Sequence, residues 1–343
     1  MYRLARNLLF RLSGEAAHEL SLDMLNAANR LHLLGIGLPE PVYAPVQVMG
    51  LTFPNAVGLA AGLDKNADHL DSLGRLGFGF VEVGTVTPRP QPGNPKPRLF
   101  RIPEEGAIIN RMGFNNKGVD HLVQQVRKRH YEGLLGINIG KNLTTPVAQA
   151  LDDYRTGLRA VYADADYVTV NISSPNTPGL RSLQSGDTLR ELLAPLKAEQ
   201  AALADQYGRY VPIAVKIAPD MDDDEIRAVA QTLRALKIDG VIATNTTLDK
   251  TQVTGLRHGD EQGGLSGRPL TDASTEVIRV LADALENDLP IIGVGGIHCA
   301  QDAAAKIQAG ARLVQLYTGL IYEGPQLVQS CAEALAGLGD ANA

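Results

Sequence analysis

The stretch "IAVKIAPDMDDDEIRAVAQTLRALKIDGVIATNT", residues 213–246, reads as a strand, a helix and a second strand. Its ends, "IAVKIA" and "GVIATNT", are short β-rich apolar runs, and residues 222–236 between them read as a helix. Such a unit builds a parallel sheet with crossover helices. The same alternation extends in both directions from about residue 44 onward, through "NAVGLAAG", "GFVEVGTV", "LLGINIG" and "YVTVNI" before it and "PIIGVGG" and "LVQLYTG" after it. Further helices are expected at 118–130, 188–206 and 272–286. About eight β/α units in about 300 residues is the arithmetic of an α/β chain folded as a (β/α)8 TIM barrel. A doubly wound sheet is the rival, but no G-x-G-x-x-G opens a helix after the first strand.

With 343 residues and 44% hydrophobic content, the chain can bury a large core. Its net charge of -6 argues against an extended nucleic-acid surface, which needs clustered Lys and Arg. Only Cys299 and Cys331 occur, with no CxxC and no His/Cys cluster at metal spacing, so neither a disulfide framework nor a metal site is expected and a reducing cytosol fits. No signal-peptide pattern stands at the start, so the sequons at Asn142, Asn171 and Asn245 read as coincidental.

Residues 1–40 differ in texture from 41–343 and read as two short amphipathic helices broken at Ser13-Gly14. Leu4, Leu8 and Leu12 recur at helical spacing, as do Ala17, Leu20, Met24, Ala27 and Leu31. Neither helix is expected to span a bilayer. Arg3, Arg6 and Arg11 make the first one basic, which suits an interfacial helix on anionic lipid, against the plainer reading of a helix that packs on the core. "LPEPVYAPV" then acts as a linker.

A barrel carries its chemistry at the carboxyl ends of its strands. Here those ends supply Gly62 to Lys65, Thr85, Asn138 and Asn171 with Ser174 and Asn176. They continue with Lys216, Thr244 to Thr246, Gly295-Gly296 and Tyr317 to Gly319. Many asparagines, two lysines and few carboxylates suit a polar, anionic, planar ligand. They do not suit a glycosidase, which needs two carboxylic acids. The glycines of "GVGGI" and "YTG", with "GGLSG" at 263–267 as further bare backbone, stand where barrels bind phosphate. "GINIGKN" fails as a Walker A loop, because Leu135 and Asn142 stand where a glycine and a Ser/Thr are needed.

Lys216, mid-strand in apolar surroundings, must meet an anion or lose its proton. It reads as a Schiff-base lysine of an aldolase, as a fixed cation beside a cofactor, or as an ion pair with a neighbouring strand, for which few strand-end carboxylates are available. Ser174 in "NISSPNTPGL" lacks a histidine at a neighbouring strand end, which disfavours hydrolase chemistry. Pro175 restricts its backbone, and 172–186 reads as an active-site lid.

Together "GLAAGLDKN", "EVGTVTPRPQPGNPKPRLFR", "NRMGFNN", "LGINIGKN", "NISSPNTPGLR", "VKIAPD", "VIATNTTL", "GGLSGRPL", "IIGVGGI" and "LVQLYTG" make the chain resemble the bacterial class 2, quinone-linked dihydroorotate dehydrogenases over nearly its whole length. The resemblance implies oxidation of dihydroorotate to orotate in pyrimidine biosynthesis, with FMN as hydride acceptor and a membrane quinone as final acceptor. It implies an FMN site at Ala61, Gly62, Lys65, Thr85, Asn138 and Asn171. Lys216, Thr244, Gly267, Gly296, Tyr317 and Thr318 would complete that site, the later ones at the phosphate. Dihydroorotate would meet Lys65, Asn110, Arg111, Met112, Gly113 and Phe114, and also Asn171, Asn176, Asn245 and Thr246. Ser174 matches the catalytic base, where class 1 members carry cysteine, and His18 and Arg101 look like quinone-side residues. The N-terminal helices would then lie on the cytoplasmic face of the bacterial inner membrane as a peripheral attachment. Two rivals remain, a Schiff-base aldolase using Lys216 and a non-catalytic FMN-binding or membrane-surface scaffold.

Overall fold

The computed structural model describes residues 2–34, 38 and 40–340. Eight strands close into a parallel barrel, in the order β3 (Val57–Leu59), β4 (Phe80–Val86), β7 (Leu134–Ile139), β8 (Tyr167–Asn171), β9 (Ile213–Ile217), β10 (Gly240–Ala243), β12 (Ile291–Val294) and β13 (Ala311–Leu316), which returns to β3. The eight apolar runs of the sequence are these eight strands. They read as continuous apolar runs because parallel strands are covered on both faces, by helices outside and by side chains inside. Six of the eight have every residue buried; β7 departs only at its first residue, Leu134, and β13 only at the exposed Arg312. β7 and β13 are thus the two exceptions to full burial, leaving six strands wholly enclosed.

The barrel interior is packed by pairing large residues with glycine. A Cβ at Gly58 would lie 2.2 Å from the Phe80 ring, and one at Gly136 would lie 2.2 Å from the Tyr167 ring. The hairpin of β1 (Val46–Val48) and β2 (Leu51–Phe53) covers the amino-terminal end of the barrel. Its Phe53 meets Phe80 edge to face at 5.0 Å, and Met49 lies against Gly240 at the start of β10. The opposite, carboxyl end is left for the site.

The helices are α3 (Leu70–Gly74), α4 (Val119–Arg127), α5 (Ala150–Val161), α6 (Gly186–Tyr207), α7 (Asp223–Ala235), α8 (Thr271–Leu285), α9 (Ala300–Gln308), α10 (Thr318–Glu323) and α11 (Gln326–Asp340). The expected helices at 118–130, 188–206, 222–236 and 272–286 correspond to α4, α6, α7 and α8, the third opened by a capping box between Asp222 and Glu225. One expectation is corrected. "GGLSG" is not a bare loop, because Gly264–Gly267 forms β11, which pairs antiparallel with β6 (Ala107–Asn110), itself paired with β5 (Leu99–Ile102). This three-stranded sheet has its own small core of Phe100, Ile102, Ala107, Ile109, Val253 and Leu265.

At the start of the chain, α1 (Tyr2–Leu9) and α2 (Gly14–Arg30) are separated at Ser13, whose side chain accepts from the Ala16 N–H as the N-cap of α2. Both helices are tied to the barrel. In α1, Tyr2 Oη donates to the Ile321 carbonyl at 2.7 Å and Arg6 to that of Tyr322 at 2.9 Å, while Phe10 meets the Tyr322 ring at 5.4 Å. Glu15 of α2 pairs with buried Arg98, and Asn26 accepts from Ser72 of α3 at 2.6 Å. Much apolar surface stays outside, with Leu4 at 72%, Leu8 at 63% and Met24 at 59% exposure. Part of the expected linker, including Pro39, lies outside the described residues.

Candidate active site

The strand register fixes the floor of the carboxyl-end cleft. Asn171 is paired with Lys216, and Lys216 with Ile242, so the amide and the ammonium stand side by side on adjacent strands. Around them the cleft is walled by the segments that leave the strands: Ala61, Gly62 and Lys65 after β3, Thr85 on β4, Thr244 to Thr246 after β10, Gly295-Gly296 after β12 and Tyr317-Thr318 after β13. Ser174 and Asn176 close one side, and Asn110, Met112, Gly113 and Phe114 after β6 another. With its open mouth, the cleft holds about 1030 Å³ of space free of protein atoms.

A buried chain of polar groups runs beneath it. Glu82, wholly buried in β4, accepts from Asn138 Nδ2, Tyr167 Oη and Gln315 Nε2, each at 2.8 Å. Asn138 Oδ1 in turn accepts from Thr85 Oγ1 at 2.6 Å and from Asn171 Nδ2 at 3.2 Å. Asn171 Oδ1 accepts from Ser173 Oγ, which accepts from Asn245 Nδ2 at 2.9 Å. The amides of Asn171 and Asn245, which face the cleft, are thus locked in orientation from behind. Asn138 serves from the second layer, fully buried behind Thr85 and Asn171, and does not line the cleft itself.

Lys216 makes no hydrogen bond or ion pair among the described residues. Burial pushes its ammonium below the ordinary lysine range, and the carboxylate whose charge offsets this is Glu82. The expectation that carboxylates are scarce near Lys216 holds for the strand ends and fails inside the barrel, where Glu82 sits mid-strand. Lys65 is likewise pushed down, to about 8, by burial and the nearby Arg98, and donates to the Gly62 carbonyl at 2.8 Å.

The serine loop is held over the mouth. The backbone N–H of Asn176 donates to Ser174 Oγ at 3.2 Å, and Asn176 Nδ2 donates to the Asn110 carbonyl at 3.1 Å. Arg181, which the sequence reading passed over, clamps the loop by donating to the carbonyls of Ser173 and Thr246 and pairing with Asp220 at 2.6 Å.

Three expected site residues stand elsewhere. The guanidinium of Arg111 turns away from the cleft, donating to Glu261 at 2.8 Å, to the carbonyls of Gln262 and Pro97, and stacking on Phe100 at 4.6 Å. Arg101 caps the end of α1, donating to the carbonyls of Leu9, Phe10 and Leu12 and lying 4.4 Å from the centre of the Phe10 ring. His18, on α2, is kept neutral by burial and by the charge of Lys65, which lower it to about 3. His18 thus belongs to the N-terminal helices and Arg101, from β5, is engaged with them, and neither lines the cleft. The residues that sequence reasoning missed, Glu82, Gln315 and Tyr167, point inward from mid-strand, where only the period-two alternation of a strand could have flagged them.

The glycine backbone at one end of the cleft fits a phosphate group. The backbone at Gly296 and Gly267 has φ of 71° and 101°, and a Cβ there would come within 2.3 Å of Thr271 Cα and the Gly106 carbonyl oxygen respectively, so only glycine leaves this backbone free to approach an anion. The unpartnered Lys216 adds a cation to the same cleft.

Comparison with known proteins gives a consistent picture. Residues 43–338 match the family described as dihydroorotate dehydrogenase. The chain is 65% identical over 336 residues to the dihydroorotate dehydrogenase (quinone) of Cellvibrio japonicus (strain Ueda107), covering 98% of each chain. It is 61% identical over 338 residues to the protein of the same name from Pseudomonas aeruginosa (strain UCBPP-PA14), covering 98% of this chain and 99% of that one. Among solved structures, the Eimeria tenella dihydroorotate dehydrogenase in complex with ferulenol superposes with a TM-score of 0.85 at 38% identity, covering 94% of this chain and 92% of the other. A ligand-free structure of the Eimeria tenella enzyme gives 0.83 at 39% identity, covering 94% and 95%.

Proposed function

Because the chain belongs to the dihydroorotate dehydrogenase family, in its quinone-dependent class, and so oxidises dihydroorotate to orotate in pyrimidine biosynthesis, we propose that its flavin is FMN, that Ser174 is the catalytic base, and that quinone approaches beside the N-terminal helices. A Schiff-base aldolase is not favoured by relatives of this name and identity.

The observation that carries the cofactor reading is the unpartnered Lys216 beside Asn171 on the cleft floor. FMN would be held by Ala61, Gly62, Lys65, Thr85, Asn171, Lys216 and Thr244 around its ring, with Asn138 bracing them. Gly267, Gly296, Tyr317 and Thr318 would take its phosphate end. When bound, it supplies the acceptor for the hydride that leaves C6 of dihydroorotate.

The chain's own residues do the rest. Asn110, Asn171, Asn176 and Asn245 orient the pyrimidine ring, with Lys65, Thr246 and the Met112 to Phe114 segment around it; among the described residues no hydrogen bond uses Asn176 Oδ1 or Asn110 Nδ2, which leaves both for the substrate. Arg111 contributes through its backbone alone, its side chain being engaged elsewhere. Ser174 takes the proton from C5 while its own hydroxyl proton passes to solvent, and the N–H that Asn176 donates to its oxygen steadies the partial negative charge that the departing hydroxyl proton leaves there. Lys216 holds a positive charge at the ring end throughout.

Residues 1–40 form the membrane-facing segment of this reading, and 41–343 the catalytic domain. Exposed Leu4 and Leu8 flanked by exposed Arg3 and Arg11 suit an anionic lipid surface, whereas Arg6 is turned inward to Tyr322. No helix among the described residues is long and apolar enough to cross a membrane; the attachment in this reading is peripheral, at the cytoplasmic face of the inner membrane. His18 and Arg101 lie on the side where quinone would enter.

The test is anaerobic. The purified protein should be yellow, bleach on adding dihydroorotate, and recover its colour with a quinone but not with fumarate or NAD. Absence of bleaching would remove the catalytic assignment of the cleft, and recovery with fumarate alone would remove the quinone.

A further inference from the structure

Lys306 of α9 is 0% exposed to solvent. Its Nζ donates to the Thr271 carbonyl at 2.9 Å, to Ser274 Oγ at 2.6 Å and to Thr275 Oγ1 at 2.7 Å. All three ammonium hydrogens are thus used by uncharged oxygens, and no ion pair within 4.0 Å engages it among the described residues. Such a group is fully hydrogen-bonded, yet its charge is left uncancelled.

The acceptors all stand within the first five residues of α8, and the same segment grips the glycine pair of the cleft. Thr271 Oγ1 donates to the Gly296 carbonyl at 2.7 Å, and Ser274 Oγ lies 3.1 Å from that of Gly295. Both glycines have positive φ, 118° at Gly295 and 71° at Gly296, and both line the cleft. A continuous path therefore runs from the buried ammonium, through two hydroxyl residues, to the backbone at the end of the cleft assigned to phosphate.

We infer that Lys306 is a positioning residue for that end: it fixes the first turn of α8 against Gly295-Gly296 and keeps a positive charge behind the loop, so that the chain favours a flavin bearing a phosphate over the same ring system without one. The inference rests on the reading that the cleft holds FMN with its phosphate at Gly267, Gly296 and Thr318. Burial lowers Lys306 to about 7, with Asp302 and Asp272 acting in the opposite sense, so a nearby dianion would favour the charged form. A helix clasp alone would explain the three bonds. It would not explain why an ammonium, costly to bury, is used where a neutral donor would serve.

The experiment measures dissociation constants of FMN and of riboflavin, by flavin fluorescence, for the full-length chain and for Lys306→Met, which keeps the length of the side chain and removes the charge. The unaltered chain should prefer FMN, and the substitution should weaken FMN by about tenfold or more while leaving riboflavin affinity nearly unchanged. Equal weakening of both ligands means a merely structural clasp and overturns the inference, as does an unchanged FMN constant. If the unaltered chain itself fails to prefer FMN, the phosphate reading falls, and the inference with it, a result visible before any substitution is made. Should Lys306→Met not fold, Ser274→Ala removes one link between the ammonium and Gly295, and it should give a smaller loss selective for FMN; a loss shared with riboflavin would again overturn the inference.

Discussion

Ser174 Oγ accepts the backbone N–H of Asn176 at 3.2 Å, so the hydroxyl proposed to take the substrate proton is aimed by the residue whose side chain also reaches Asn110. Ser174→Ala should therefore slow flavin reduction by dihydroorotate by about 10²–10⁴-fold, the range of a lost general base. Flavin content after purification should be unaltered. Stopped-flow bleaching checks both, and reduction at the original rate would remove Ser174 from the reaction.

Gly296→Ala should empty the cleft. At φ of 71° the added Cβ would stand 2.2 Å from Thr271 Oγ1 and 2.3 Å from Thr271 Cα, and the backbone of α8 cannot move aside as a flexible side chain could. We expect a loss of stability above about 2 kcal/mol and a protein purified largely without flavin. The absorbance ratio near the flavin and protein bands, with a thermal melt, reads both.

Leu4→Asp with Leu8→Asp should abolish sedimentation with anionic vesicles and leave anaerobic bleaching by dihydroorotate unchanged. Both leucines are mostly exposed, so the folded core loses no packing. Retained vesicle binding would move the membrane contact away from α1.

Acid should loosen the fold through two histidines. Burial holds His18 at about 3 and His298 at about 4, below the ordinary 6.5 that applies when the chain is unfolded. Between those limits the unfolded chain binds more protons, so stability falls as pH drops through 6.5 and is progressively lost toward about 4. The melting temperature should decline over this range, and His298→Gln should make the decline shallower. An identical slope in the variant would exclude His298 as a contributor.

The barrel was legible in the sequence because its strands are buried on both faces and so appear as unbroken apolar runs between helices. The sheet of β5, β6 and β11 was not. Its strands are only four residues long, and "GGLSG" carries the glycines of a loop even though its backbone pairs with Ala107–Asn110. In the site, residues at strand ends could be placed by topology alone. The direction of a long side chain could not, since Arg111 follows the right strand and still turns to Glu261 and Phe100. Glu82 was overlooked because a carboxylate within "FVEVGTV" has no partner nearby in sequence. Its three donors come from β7, β8 and β13, and only closure of the barrel brings them together.

The ties that hold α1 bear on how the chain meets a lipid surface. An isolated helix of eight residues scarcely forms in water, since its nucleation outweighs the few hydrogen bonds gained. Here Tyr2 and Arg6 anchor it to the carbonyls of Ile321 and Tyr322, and Arg101 satisfies its last carbonyls, before any bilayer is present. Many amphipathic peptides coil only as they adsorb and spend much of their binding energy on becoming ordered. This one would arrive already wound, with its leucines facing a fixed direction, so its far-ultraviolet circular dichroism should be the same with and without vesicles.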